Sequence, residues 1–180
     1  MEIGHDVRVD TGKPVFLLSG LHHAREWPTV ELTLEFAWDV LGNDGVDPRI
    51  TALLESAKLI VVPVVNPDGF DMSRTRIHEQ KRKNCRIASA QIPTRADCAA
   101  SANANAGVDL NRNYGVFWGG NGASDMASSS NYRGEAPYSD PEHHGADRRE
   151  PGDRRDPQPH ARRAAPAGAE LRRGTGARLT

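Results

Sequence analysis

The sequence predicts an α/β fold, part of a mixed, mainly parallel sheet with helices on both faces. Two short apolar runs read as strands, and an amphipathic stretch between them reads as a helix. Strand, helix and strand at this spacing form a parallel crossover, whose sheet is covered on both sides. The first run, "PVFLLSG" (Pro14 to Gly20), is closed by small residues and reads as a buried strand feeding a loop. In "WPTVELTLEFAWDVLG" the apolar positions are mostly helical in spacing, Pro28 suits a first turn, and Gly42 suits a stop. "KLIVVPVVNPDGF" is the second strand, since five of its residues are valine or isoleucine, and Asn66-Pro67-Asp68-Gly69 signals a turn. Residues 71 to 107 are polar and charged. "GVDLNRNYGVFWGG" then brings aromatics and glycines together as a shaped loop, the kind of segment on which sites are built.

The chain of 180 residues carries a net charge of −1, an average over two unlike pieces. From Met1 to Glu142 there are 14 Lys or Arg against 19 Asp or Glu; from His143 onward there are 9 Arg, no Lys and 5 acids. Of the last 38 residues, 25 are Arg, Ala, Gly or Pro, too few apolar groups to offset the entropy of ordering, so 143–180 is expected to be a disordered tail. Its four Arg-Arg pairs have no interleaved aromatics, which argues against nucleic acid. No run is long enough for a membrane span, and Glu2 directly after Met1 does not resemble a signal peptide. Cys85 and Cys98 lie 13 apart in a polar connection, where a disulfide suits better than a metal pair; two free thiols are the alternative.

"GLHHAREW" (Gly20 to Trp27) holds the candidate chemistry. His23 and Glu26 are three apart, so on a helical turn an imidazole and a carboxylate project to one side and could share a Zn²⁺. His22 is offset by one residue and points elsewhere. A solvated His/Glu pair would look the same, and HxxE alone does not separate the two readings.

The blocks "GLHHAREW", "VVPVVNPDGF", "RKNCR", "GVDLNRNYGVFWGG" and "YRGEAPYSDPE", in that order, resemble the zinc metallocarboxypeptidases of the carboxypeptidase A type, over about Met1 to Glu142. The resemblance implies a partial catalytic domain with the carboxypeptidase-like fold, incomplete. It implies a Zn²⁺ cofactor, a secreted and monomeric intact enzyme, and hydrolysis of C-terminal residues from peptides or proteins through a zinc-bound water. Position by position, it implies His23 and Glu26 as zinc ligands and Arg25 lining the cleft. Arg82 would polarise the scissile carbonyl, and Asn111 and Arg112 would grip the substrate's free carboxylate. Asp109 would accept from the second nitrogen of His23. Lys81 stands where the family usually has an aromatic. Trp27, Phe117 and Trp118 are expected to pack, and His5 and His78 to lie on the surface.

None of the apolar strands expected to carry the family's third ligand, a histidine, and its glutamate base follows Glu142, so neither is assigned. His143, His144, His160, Glu150 and Glu170 lie in the tail. Read one nucleotide forward after Glu142, the codons of His143 to Ala146 permit "TxAL"-like family sequence, so the tail is expected to be out of frame and this chain inactive. The alternatives are a non-catalytic fragment that binds zinc or peptide C-termini weakly, and a zinc deacylase of N-acyl amino acids.

Overall fold

The computed structural model describes residues 1–9, 11–87 and 92–146. In chain order its elements are β1 (Glu2–Ile3), β2 (Val15–Ser19), α1 (Pro28–Asn43), α2 (Pro48–Ser56), β3 (Lys58–Val62), α3 (Pro67–Arg74), α4 (Arg95–Ala99) and α5 (Pro141–Ala146), with 3₁₀ turns at Ser101–Asn103 and Leu110–Arg112.

The sheet order is β1-β3-β2. β2 and β3 run parallel in the register Val15 to Lys58 through Ser19 to Val62, as the crossover through α1 requires. β1 pairs antiparallel with β3, Ile3 opposite Leu59. The mixed α/β sheet is therefore as expected, with β1 added by two residues too few for periodicity to reveal.

Alternation along β3 turns Leu59 and Val61 to one face, where they meet Ile3, Ala37 and Val40 of α1, and Leu54 of α2. Leu18, Phe36 and Ile50 close the edges of this cluster. α2 has ordinary start signals: Asp47 accepts from the Arg49 N–H and Pro48 fills the first turn. The opposite sheet face is open at its start, where Val15 is 53 % and Leu17 38 % exposed on the outer strand.

Two expectations need correction. Asn66-Pro67-Asp68-Gly69 is not a free turn but the start of α3, with the Asn66 side chain accepting from the Gly69 N–H and Pro67 in the first turn. The expected boundary at Glu142 falls inside α5, which carries the chain on to Ala146, and His143 is buried there. The rest of the tail, with its expected disorder and lost frame and with His160, Glu150 and Glu170, lies outside the described residues.

Leu59→Ala is expected to cost about 2–5 kcal/mol in urea denaturation, because the site cannot collapse around the lost atoms. Val15→Thr should change stability by no more than about 0.5 kcal/mol while reducing self-association in sedimentation, since the β-branched shape is kept and mainly exposed apolar surface is broken up.

Candidate metal and substrate site

β2 and β3 end side by side, and the loops leaving them are joined through the backbone. The Gly20 N–H donates to Val62 O at 2.9 Å, Val65 N–H to Gly20 O at 3.1 Å, and Asn66 N–H to Leu21 O at 3.1 Å. The carboxyl ends of parallel strands are where open α/β sheets place their ligands. A Cβ at Gly20 would lie 2.7 Å from the Thr29 carbonyl oxygen, so only glycine lets α1 start this close.

Leu21 then takes φ 52°, a left-handed conformation costly for a bulky side chain. Thr29 holds it: its Oγ1 accepts from Leu21 N–H at 2.9 Å and donates to Glu26 O at 2.7 Å. The Asn66 amide ties the loop from behind, donating to the carbonyls of His22 at 3.0 Å and Arg82 at 3.3 Å.

This turn buries His23 with its two nitrogens facing two carboxylates. Nδ1 lies 2.9 and 3.0 Å from the Glu26 oxygens, and Nε2 lies 3.0 Å from Asp109 Oδ1. Asp109 is fully buried and uses its other oxygen to accept from Arg82, Nη2 at 2.8 Å and Nε at 3.2 Å. Arg82 Nη1 also stands 3.9 Å from Glu26 Oε1, and the Asn111 N–H donates to Asp109 Oδ1 at 3.0 Å. Burial by itself would raise the Asp109 carboxyl. The hydrogen bonds from His23 and Arg82 outweigh it and hold the group below the usual carboxylate range.

The segment that carries Arg82 is not the solvated basic run that "EQKRKNCR" suggests. Lys81 and Lys83 are 2 % and 3 % exposed. The Lys81 ammonium donates to the carbonyls of Asn103 at 3.3 Å, Ala104 at 3.4 Å and Ala106 at 2.9 Å. That of Lys83 donates to Ala127 at 2.8 Å and Ser129 at 2.9 Å. Burial, with Lys83 as a neighbouring cation, pushes Lys81 down to about 8. Cys85 and Cys98 are joined as a disulfide that ties this segment to α4 beside Met72.

His22 does point away from His23, toward a second cluster. Its Nε2 lies 2.6 Å from the Tyr114 hydroxyl, and the Tyr114 ring packs 4.3 Å from that of His143. Burial first, then the His143 and His23 charges, push His22 down to about 4, so it is neutral near pH 7. Sequence reasoning missed this cluster, because nothing in the spacing of 22, 114 and 143 brings them together.

Asn111, Arg112 and Tyr114 line one pocket of about 90 Å³ with the glycine-rich loop. Arg112 donates to the carbonyls of Gly122 at 3.0 Å and Asn111 at 2.8 Å. Arg25 is exposed and reaches the Gln80 carbonyl at 3.4 Å. Trp27 donates from Nε1 to Ser73 Oγ, and Trp118 stacks under Arg133 with 4.4 Å from guanidinium to ring. Phe117 departs from the expected packing role: it is 91 % exposed, at φ 58°, on the rim of the Arg112 pocket.

His23 and Glu26 present the imidazole nitrogen and the carboxylate that zinc accepts, with the far ring nitrogen already occupied by Asp109, as in oriented metal-ligand histidines. A catalytic zinc takes three protein ligands. Among the described residues no group of three His, Cys, Asp or Glu could hold a metal ion.

The zinc carboxypeptidase family matches residues 1–146, and the chain belongs to it. It is 34 % identical over 125 residues to "Metallocarboxypeptidase A" of Trichophyton tonsurans, covering 69 % of this chain and 26 % of that protein. It is 35 % identical over 131 residues to "Carboxypeptidase A2" of Rattus norvegicus, covering 72 % and 28 %. The chain thus spans about a quarter of the length of the curated relatives it matches. Among solved structures, carboxypeptidase A from Helicoverpa armigera is similar with a TM-score of 0.58 at 31 % identity, over 78 % of this chain and 31 % of that one. Thrombin activatable fibrinolysis inhibitor reaches 0.62 at 28 % identity, over 81 % and 33 %. No helix among the described residues is long and apolar enough to cross a membrane.

Thr29→Val should cost about 1–3 kcal/mol in chemical denaturation, because it leaves the buried Leu21 N–H without its acceptor. A pH effect follows from Lys81, whose value falls from 10.5 to about 8 on folding. Between these two values the unfolded chain holds a proton that the folded one has lost, so the Lys81 contribution makes stability rise with pH across that window. Lys81→Met should flatten the rise, as measured by urea midpoints from pH 7 to 11.

Proposed function

We propose that this chain carries the N-terminal part of a metallocarboxypeptidase site acting on the C-termini of peptides or proteins, with His23 and Glu26 as zinc ligands. The observation that supports this most directly is Asp109, which takes His23 Nε2 on one oxygen and Arg82 on the other while His23 Nδ1 faces Glu26. Zinc, when bound, would supply a Lewis acid and lower the pKa of its water.

The chain's own residues would orient and bind. Asp109 fixes the proton on His23 Nε2, leaving Nδ1 as the metal-facing lone pair. Arg82, steadied from behind by Asp109, offers a cation to the carbonyl oxygen of the scissile peptide. Asn111 and Arg112 receive the terminal carboxylate in the pocket below Phe117, and Arg25 borders the cleft. The intact enzyme of this kind would work outside the cell as a monomer.

For the chain as it stands, with no group of three metal-ligating side chains among the described residues and no general base assigned there, we expect weak zinc binding and no measurable turnover. Calorimetric titration of the full chain with zinc should give weak binding that is abolished by His23→Ala. Tight one-to-one binding would overturn this part of the reading. On a full-length relative, a peptide with a free C-terminus should be cleaved and its C-terminal amide should not; equal cleavage of both would remove the carboxylate-gripping role.

A further inference from the structure

Asp109 must sit where two other groups can share it, yet it lies in a stretch with no strand or long helix. Each residue of the tripeptide Lys81-Arg82-Lys83 holds a different part of its surroundings. Arg82 bonds the carboxylate itself. Lys81 binds the carbonyls of Asn103, Ala104 and Ala106, the loop that delivers the chain to position 109. Lys83 binds the carbonyls of Ala127 and Ser129, on the loop that returns at Tyr132, whose carbonyl accepts the Asp109 N–H at 2.8 Å. Asn84 completes the seam: its N–H donates to Val108 O at 3.1 Å and its Oδ1 accepts from Val108 N–H at 2.8 Å. At Gly107, φ 110°, an added Cβ would fall 2.0 Å from Asn84 O, so the two segments touch there.

We propose that Lys81 is a positioning residue, whose buried ammonium fixes the 103–106 loop and thereby sets Asp109 against His23 and Arg82. Burying an ammonium costs stability, so mere stabilisation is a poor account of a lysine here. An aliphatic or aromatic side chain would fill the space at lower cost. It could not hold three carbonyl dipoles that converge on one point and otherwise repel one another. Lys83 does the same for the second loop at the other flank of Arg82. The basic triplet is therefore one arginine for the site and two lysines for its frame.

The inference rests on the reading of Asp109 as the group that orients His23, but its test uses neither zinc nor substrate, so its failure and that of the carboxypeptidase reading can be told apart. In the full-length chain, the His23 Nε2 proton bonded to Asp109 should be visible by NMR and protected from exchange. Lys81→Met should speed its exchange roughly tenfold or more while the Val40 and Val61 methyl signals of the core stay in place. Lys81→Arg, which keeps a cation with several donors, should restore part of the protection. Loss of thermal stability with an unchanged His23 proton would overturn the proposal, because Lys81 would then support the fold and not the site. Should Lys81→Met fail to fold, Lys83→Met carries the same comparison: faster His23 exchange supports the frame, and unchanged exchange overturns it.

Discussion

A carboxylate with no exposed surface survives at position 109 only because hydrogen-bond donors meet both of its oxygens. His23 approaches one and Arg82 the other. Removing either donor would leave a buried charge short of a partner, a state that costs several kcal/mol. Asp109 is also the point at which three separate parts of the chain converge: the loop after β2, the 81–84 segment and the stretch that begins at Val108. The candidate site is assembled around this anion and not on any single element.

The convergence explains why so many polar side chains are buried in a region with little regular structure. Backbone groups outside helices and strands still need partners once removed from water. Here Asn66, Asn84 and Asn113 supply them from side chains, each serving two or more backbone groups. Lys81 and Lys83 do the same for five carbonyls. The disulfide of Cys85 and Cys98 closes the far side of the same segment. Together these give loops the fixed geometry that a binding site requires.

The sheet contributes differently. Its three strands bury one good face against α1 and α2, and that face anchors the start of the His23 loop through Gly20 and Val62. The outer strand β2 keeps a free edge among the described residues and exposed apolar side chains, with no charge or proline inside Val15–Ser19 to blunt it. The frame of the site is thus better satisfied than the sheet on which it stands.

The sequence by itself determined the class of the fold and named the residues of the candidate site. Period and β-branched residues placed β2, α1 and β3, and the ordered blocks carried His23, Glu26, Arg82, Asp109, Asn111 and Arg112. It read "NPDG" as a turn because the N-cap role of Asn66 shows only once α3 is seen to follow, and it closed the ordered region at Glu142 because α5 is held by contacts and not by composition. Tertiary structure alone decided the burial of Lys81 and Lys83 and the meeting of His22, Tyr114 and His143. The reason is physical: local periodicity records which way a side chain leaves its own element, whereas burial of a charge depends on acceptors some 20 to 50 residues away, which only the folded chain brings within hydrogen-bond reach.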